Sequence, residues 1–418
     1  MGFFVNIKNF FNYDIAPMKF LLILTGINLF NYLDRYILAA VVGPMKAELL
    51  LTDAEVGRLS TVFMIGYIIF CPLFGYLGDK ITRKWLIIAG IFIWSIATVN
   101  TGLAMTFSAV LLWRTLVGIG EASYATICPG LISDKFSKEQ ENKALTIFLA
   151  AVPIGSAIGY SLGGVMAAKF GWREAFIFAG APGLILAFIL APFRDPERKK
   201  SNQSESINMK AVLQLLKMKN YNLICWGYTA YHFSLGAIAF WGPTFLNRAH
   251  NIPTAKAAML FGAILVVAGF AGTLFGGFLG NYFQKKGPAG FAKTCAGSIL
   301  LAAPVSFLAL WTDSQIVSLI ALGLAMFLVF LPTGPINTLI IQAVPGHLKS
   351  IAMAIVIFAL HFFGDMWSPE IVGRLADHWG KLELSILILP PMFVVAGVFW
   401  GWLAYRHSHN TEASEVKV

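Results

Sequence analysis

Apolar runs of helical length recur twelve times along this chain, at about 18–43, 56–78, 84–103, 107–131, 143–168, 174–193, 220–246, 256–283, 290–311, 315–341, 349–374 and 382–405. Each is long enough, as a helix, to cross a hydrocarbon layer of about 30 Å. They are not the alternating segments of about 10 residues that build a membrane barrel. The polar connections between them are short. The longest, from Phe193 to Asn220, follows the sixth run and divides the chain into halves of nearly equal length. The pattern predicts an all-α membrane protein of twelve transmembrane helices in two pseudo-symmetric six-helix bundles. The expected boundaries are an N-terminal bundle over 1–193, a linker over 194–219, a C-terminal bundle over 220–406 and a tail over 407–418. Within the linker, residues 208–219 mix apolar and lysine positions at helical spacing, which suits an interfacial helix.

The first run is interrupted at Asn31-Tyr32-Leu33-Asp34-Arg35-Tyr36. Between Met18 and Val42 the only other charge is Lys19, so Asp34 lies roughly 22 Å along the helix, well inside the membrane. A charge at that depth costs at least about 2.5 kcal/mol and calls for a partner. The fourth run carries Arg114 and Glu121, seven residues apart and therefore on one helix face. Antiparallel helices one and four bring all four groups to comparable depth. One reading is a polar network that only holds the bundle together. Two acid–base pairs exceed what packing needs, so a functional reading is favoured. Whether a carboxylate keeps its proton depends on how near its guanidinium partner stands. Asp34 and Glu121 are therefore the candidate proton-coupling residues. Arg35 and Arg114, which stay charged, are the candidates for binding an anionic head group.

Composition narrows the class. The 418 residues are 57% hydrophobic and 12% charged, about half the charge of a soluble domain, and leave no room for a soluble catalytic domain. Residues 1–17 lack the features of a cleavable signal. The net charge of +10 comes from placement: the linker and the loops on its side hold more than twice as many lysines and arginines as the opposite loops. By the positive-inside rule both termini are expected to be cytoplasmic, in the inner (cell) membrane, with no nucleic-acid partner. The four cysteines are scattered through apolar runs without metal or disulfide spacing. No cofactor or metal is expected, and no nucleophile set points to an enzyme.

The chain repeats itself. Gly75-Tyr-Leu-Gly78-Asp79-Lys80-Ile-Thr-Arg83-Lys84 follows the second run, and Gly277-Phe-Leu-Gly280-Asn281-Tyr-Phe-Gln-Lys285-Lys286 follows the eighth. The first copy resembles the signature loop of the major facilitator superfamily, G-x-x-x-D-x-x-x-R-R/K, at Gly75, Asp79, Arg83 and Lys84. Three further stretches resemble its spinster-type lipid transporters: Tyr32 to Tyr36, Arg114-Thr-Leu-Val-Gly118-Ile-Gly120-Glu121-Ala122-Ser123-Tyr124, and His361-Phe-Phe-Gly364-Asp365-Met-Trp-Ser368-Pro369. The likeness runs from about residue 20 to 405, and the compact tails resemble bacterial members. It implies the major facilitator fold and a gating role for Gly75, Gly78, Asp79, Arg83 and Lys84, which would clasp the ends of spans near the eleventh.

In the eleventh run His361 and Asp365 share a face and are secondary candidates; His361 is as readily an ordinary hydrogen-bonded helix residue. Hinges are expected at Ser368-Pro369, at Pro332-Thr-Gly334-Pro335 and at Pro153-Ile-Gly155. Gly155, Gly159 and Gly163 form a close-packing stripe. Together these features point to a secondary active transporter, proton-coupled and monomeric. By resemblance it carries lysophospholipid or sphingoid-type amphiphiles, in contact with membrane lipid. The alternatives are an organic-anion or sugar-phosphate facilitator, a lipid sensor or scramblase, and a membrane-embedded enzyme.

Overall fold

The computed structural model describes residues 15–193, 195 and 209–415. Most of the expected linker, including its Arg-Lys cluster, lies outside the described residues, as do 1–14 and 416–418. The described residues form helices and short connections, with no strand among them.

The first half holds α1 (Ile15–Leu49), α2 (Asp53–Lys80), α3 (Arg83–Leu103), α4 (Phe107–Lys135), α5 (Lys138–Lys169) and α6 (Trp172–Leu190). A short helix, α7 (Met209–Lys217), precedes the second half. There α8 (Lys219–His250), α9 (Thr254–Lys286) and α10 (Gly290–Trp311) are single helices. The tenth span is broken into α11 (Gln315–Phe330) and α12 (Thr333–Gln342) at the expected Pro332 hinge. The eleventh comprises α13 (Lys349–Ala359), a π-helical segment (Leu360–Asp365) and α14 (Ser368–Trp379); the twelfth, α15 (Leu382–Ser385) and α16 (Leu389–Glu415). Ten spans among the described residues are long and apolar enough to cross a membrane. The other two, α1 and α8, have 35 and 32 residues, also long enough as helices to cross. That accounts for the twelve.

Two hinges differ from expectation. The chain runs as an unbroken helix through Pro153. Near Ser368-Pro369, Pro369 sits in the first turn of α14, where its missing N–H costs nothing. The disruption lies upstream, in the π-helical turn that carries His361 and Asp365, a form that concentrates at functional sites.

Glycines set the helix approaches around the first span. A Cβ at Gly155 or Gly159 would come 2.5 Å from the carbonyl oxygens of Leu29 and Leu33 respectively. The stripe on α5 thus lets α1 lie almost backbone to backbone against it. On α4, Gly118 faces the Phe63 carbonyl of α2, and Gly120 faces Gly90 and Trp94 of α3. These small residues flank Glu121 and draw α2 and α3 in close enough for their side chains to reach the same place.

The basic end of the bundle carries Lys80, Lys135 and Lys286; the far end carries the starts of α2 and α9. At the far end the halves are closed on each other. Arg248 of α8 forms two 2.8 Å hydrogen bonds with Asp53, which also takes Lys46 at 2.6 Å. Asp377 of α14 accepts the backbone N–H groups of Asp53 and Ala54, each at 2.8 Å. Arg58 meets Glu370 at 3.1 Å, and Thr61 donates to the Met366 carbonyl at 3.0 Å. Met366 is buried within the apolar cluster of the first half. Gly57 lies against Pro369, and Gly373 against Asp53, too close for a Cβ.

Candidate functional site

The four charged residues singled out from the sequence do meet, but in crossed pairs. Arg35 donates to Glu121 Oε2 through Nη2 at 2.7 Å and Nε at 3.2 Å. Asp34 pairs with Arg114, Oδ1 to Nη1, at 3.8 Å and accepts a hydrogen bond from the Thr98 hydroxyl of α3. The geometry follows from the helix: adjacent residues point about 100° apart, so Asp34 turns toward α3 while Arg35 turns toward the middle of α4.

Burial separates the roles. Asp34, Glu121 and Arg114 are 1%, 0% and 1% exposed, whereas the Arg35 side chain is 20% exposed. A cavity of about 120 Å³ between the halves is lined by Arg35, Arg114, Tyr36, Phe63, His361 and Asp365, among others. All four groups were expected to line it; only the two arginines do, and the acids stand behind them. Arg114 Nε and Nη1 have no hydrogen-bond partner among the described residues. A buried guanidinium with donors in reserve beside a cavity is suited to an incoming anion.

Two features escaped the sequence reading. One is an aromatic box on Arg35: its guanidinium carbon lies 5.1, 5.0 and 5.2 Å from the ring centres of Tyr32, Phe63 and Tyr67. Phe63 also takes Arg114, at 5.1 Å, so one ring stands between two cations. Each such contact is worth about 0.5–2 kcal/mol. The other is His232 of α8. Asp365 lies 2.9 and 3.1 Å from His361 Nδ1 and 3.7 Å from His232 Nδ1. The expected His361–Asp365 pair is therefore a cluster of three, facing the arginines across the cavity. His232 packs on Tyr228 and Tyr231, with ring centres 4.7 and 5.2 Å away. Of the many aromatics in the spans of the second half, Phe240 lines the cavity.

The signature loop lies apart from this site, at the basic end. Arg83 pairs with Asp134 at 2.6 Å and with Asp195 at 3.6 Å. Lys84 donates to the Ala191 carbonyl at 2.8 Å. These partners close α4 and the end of α6 onto the loop, all within the first half. Gly75 and Gly78 face Thr126 and Ile127 of α4 at ordinary contact distance. Among the described residues no group of His, Cys, Asp and Glu has the arrangement of a metal site.

Comparison with known proteins agrees with the architecture. The sequence profile of the Major Facilitator Superfamily matches residues 24–369. Protein spinster of Drosophila melanogaster is 32% identical over 369 residues, covering 85% of this chain and 61% of the fly protein, so this chain spans about three fifths of that relative. The Arabidopsis thaliana protein named probable sphingolipid transporter spinster homolog 2 is 30% identical over 421 residues, covering 92% and 86% of the two chains. A crystal structure of a bacterial homologue of the human lysosomal transporter spinster, inward-facing and unoccupied, has a TM-score of 0.84 at 22% identity, covering 95% of this chain and 98% of that one. With its paired six-helix halves, its signature loop and these matches over most of its length, the chain belongs to the spinster branch of the major facilitator superfamily.

Proposed function

We propose that this protein is a proton-coupled secondary transporter that moves lysophospholipid or sphingoid-type amphiphiles across the cell membrane by alternating access. The observation that carries the reading is the crossed quartet: two acids sealed behind two arginines, with the arginines at the cavity wall. An anionic head group entering the cavity would meet Arg35 and Arg114 first. It would compete with Glu121 and Asp34 for them, and a carboxylate that loses its guanidinium partner gains affinity for a proton. Substrate arrival and proton uptake would thus be linked through shared partners. Relatives named as sphingolipid transporters support the substrate class.

The far-end closure supports one state of such a cycle, with the signature loop engaged inside its own half. In the other state Asp79, Arg83 and Lys84 would turn to the eleventh span, and the basic end would face the cytoplasm with both termini. The protein would act as a monomer, without cofactor or catalytic step.

The test is uptake of a radiolabelled lysophospholipid into proteoliposomes under an imposed pH gradient. Wild type should accumulate the lipid when the gradient is present and lose accumulation when a protonophore collapses it. D34N and E121Q should abolish gradient-driven uptake while the purified proteins still fold. Wild-type gradient dependence in both variants would overturn the assignment of the acids. Uptake of sugar phosphates and not of lysolipids would overturn the substrate class.

A further inference from the structure

A cleft of about 890 Å³ opens at the far end, a volume within the range of small-molecule sites, about 300–1,000 Å³. Its walls come from the end of α1 and the turn after it, the ends of α5 and α8, and the start of α9. One turn deeper, Gly164 of α5 packs on α9, where a Cβ would lie 2.9 Å from Ala258 and 3.0 Å from Ala255. That contact closes the floor. The cleft shares no lining residue with the arginine cavity between the halves.

Two cations stand in its wall, Lys46 and Arg248, each side chain 27% exposed. Both are bonded to one carboxylate, Asp53, so the three groups carry one positive charge in excess. No acid lines the cleft. Glu48, near Lys46 in sequence, is taken up by Arg173 and Trp172. Asp313 and Glu383 stand with Lys381 in a separate recess that Arg248 also borders. Lys169 and Lys256 are exposed, each next in sequence to a lining residue. Most of the remaining wall is apolar, including Pro44, Ala47, Leu51 and Ala168. Leu50 also lines it, 88% exposed and with a left-handed backbone, φ +53°. Glycine is the usual occupant of such a helix end, as Gly380 is after α14. Here a leucine is kept in the strained position, one turn past Lys46, whose carbonyl accepts the Leu51 N–H at 3.1 Å.

We infer that this cleft is a second amphiphile site, which takes a single-chain anionic phospholipid with its phosphate on Lys46 and Arg248 and its chain against Leu50 and the apolar wall. Cations alone would suit a free phosphate; cations set in an apolar wall suit a phosphate that carries a chain. The bound phosphate competes with Asp53 for both cations. Asp53 is also where Asp377 of the other half is anchored, through the Asp53 and Ala54 N–H groups. Occupancy of the cleft therefore loosens the far-end closure from a place outside the central cavity. The ligand class rests on the transporter reading, but the site is read locally, without uptake or a pH gradient, so either can fail without the other.

The test uses the full-length protein in phosphatidylcholine nanodiscs, with a fluorophore on A168C in a C71S background; the other native cysteines are buried. Chain-brominated lysophosphatidylglycerol should quench it saturably. K46Q should weaken the apparent affinity about 5-fold, as for one cation beside an anionic lipid. L50G, which relieves the left-handed strain, should weaken it at least about 2-fold through the lost apolar contact. Equal quenching by uncharged brominated monoacylglycerol would reduce the cleft to bulk-lipid contact and overturn the site. Relief of quenching by inorganic phosphate or glycerophosphate as effective as that by unlabelled lysolipid would make it a soluble-anion site and overturn the amphiphile. Spin labels on the far ends of α2 and α14 read the second half of the inference. The lysolipid should lengthen their distance, and L50G should shift that response to higher lysolipid in step with the quenching. Unchanged distances at saturating quenching, or a response that L50G leaves in place, would overturn the link between this cleft and the closure.

Discussion

Arg35 forms its ion pair with Glu121, 86 positions away in sequence, and not with its neighbour Asp34. The bond ties the middle of α1 to the middle of α4, where Arg35 reaches the cavity but Glu121 is fully buried and has no water to fall back on. Breaking a buried pair from one side leaves an uncompensated charge, which typically costs about 3–5 kcal/mol.

R35A should therefore destabilise the protein by about that amount, and R35A/E121A by clearly less, because the double variant leaves no stranded carboxylate. Thermal unfolding in detergent measures both. Additive losses would mean that the two side chains do not act as a pair.

Phe63 touches both arginines through its ring. F63L keeps apolar volume but removes the ring face, and should cost about 1–2 kcal/mol in arginine positioning. The expected signature is a weaker apparent affinity for an anionic lysolipid with F63Y close to wild type. Equal affinity in F63L and wild type would reduce Phe63 to packing.

The far-end closure depends on backbone contact at Gly57 and Gly373, where a Cβ would strike Pro369 and Asp53. G57V and G373V should wedge α2 from α14. Spin labels on the far ends of the two halves should show a population at longer distance, absent from wild type. Unchanged distance distributions would show that the closure rests on the ion pairs alone.

His232 offers a separate test of the second cluster. H232F preserves packing against Tyr228 and Tyr231 while removing the nitrogen 3.7 Å from Asp365. Stability should change by less than about 1 kcal/mol, as for an isosteric interior swap, while the pH profile of uptake shifts. An unmoved profile would leave His232 a packing residue.

The twelve spans were legible because lipid imposes length and apolarity on every crossing. The quartet was legible because charge is scarce where it is costly, so Asp34, Arg35, Arg114 and Glu121 stood out one by one. Their pairing was not stated from sequence, although the 100° step between Asp34 and Arg35 already forbids a shared partner. Phe63 and His232 were hidden for a different reason. Each is an ordinary interior residue whose role depends on a helix remote in sequence. The break at the π-helical turn was displaced from the proline that flagged it, since proline in a first helical turn disturbs nothing.

The start of α2 is finished by a carboxylate that belongs to the other half, Asp377. When the halves part, those two N–H groups are left at the aqueous rim, where water replaces the lost acceptor almost without penalty. The joint is therefore well defined while made and inexpensive to undo, which is what the proposed alternating access would require of it.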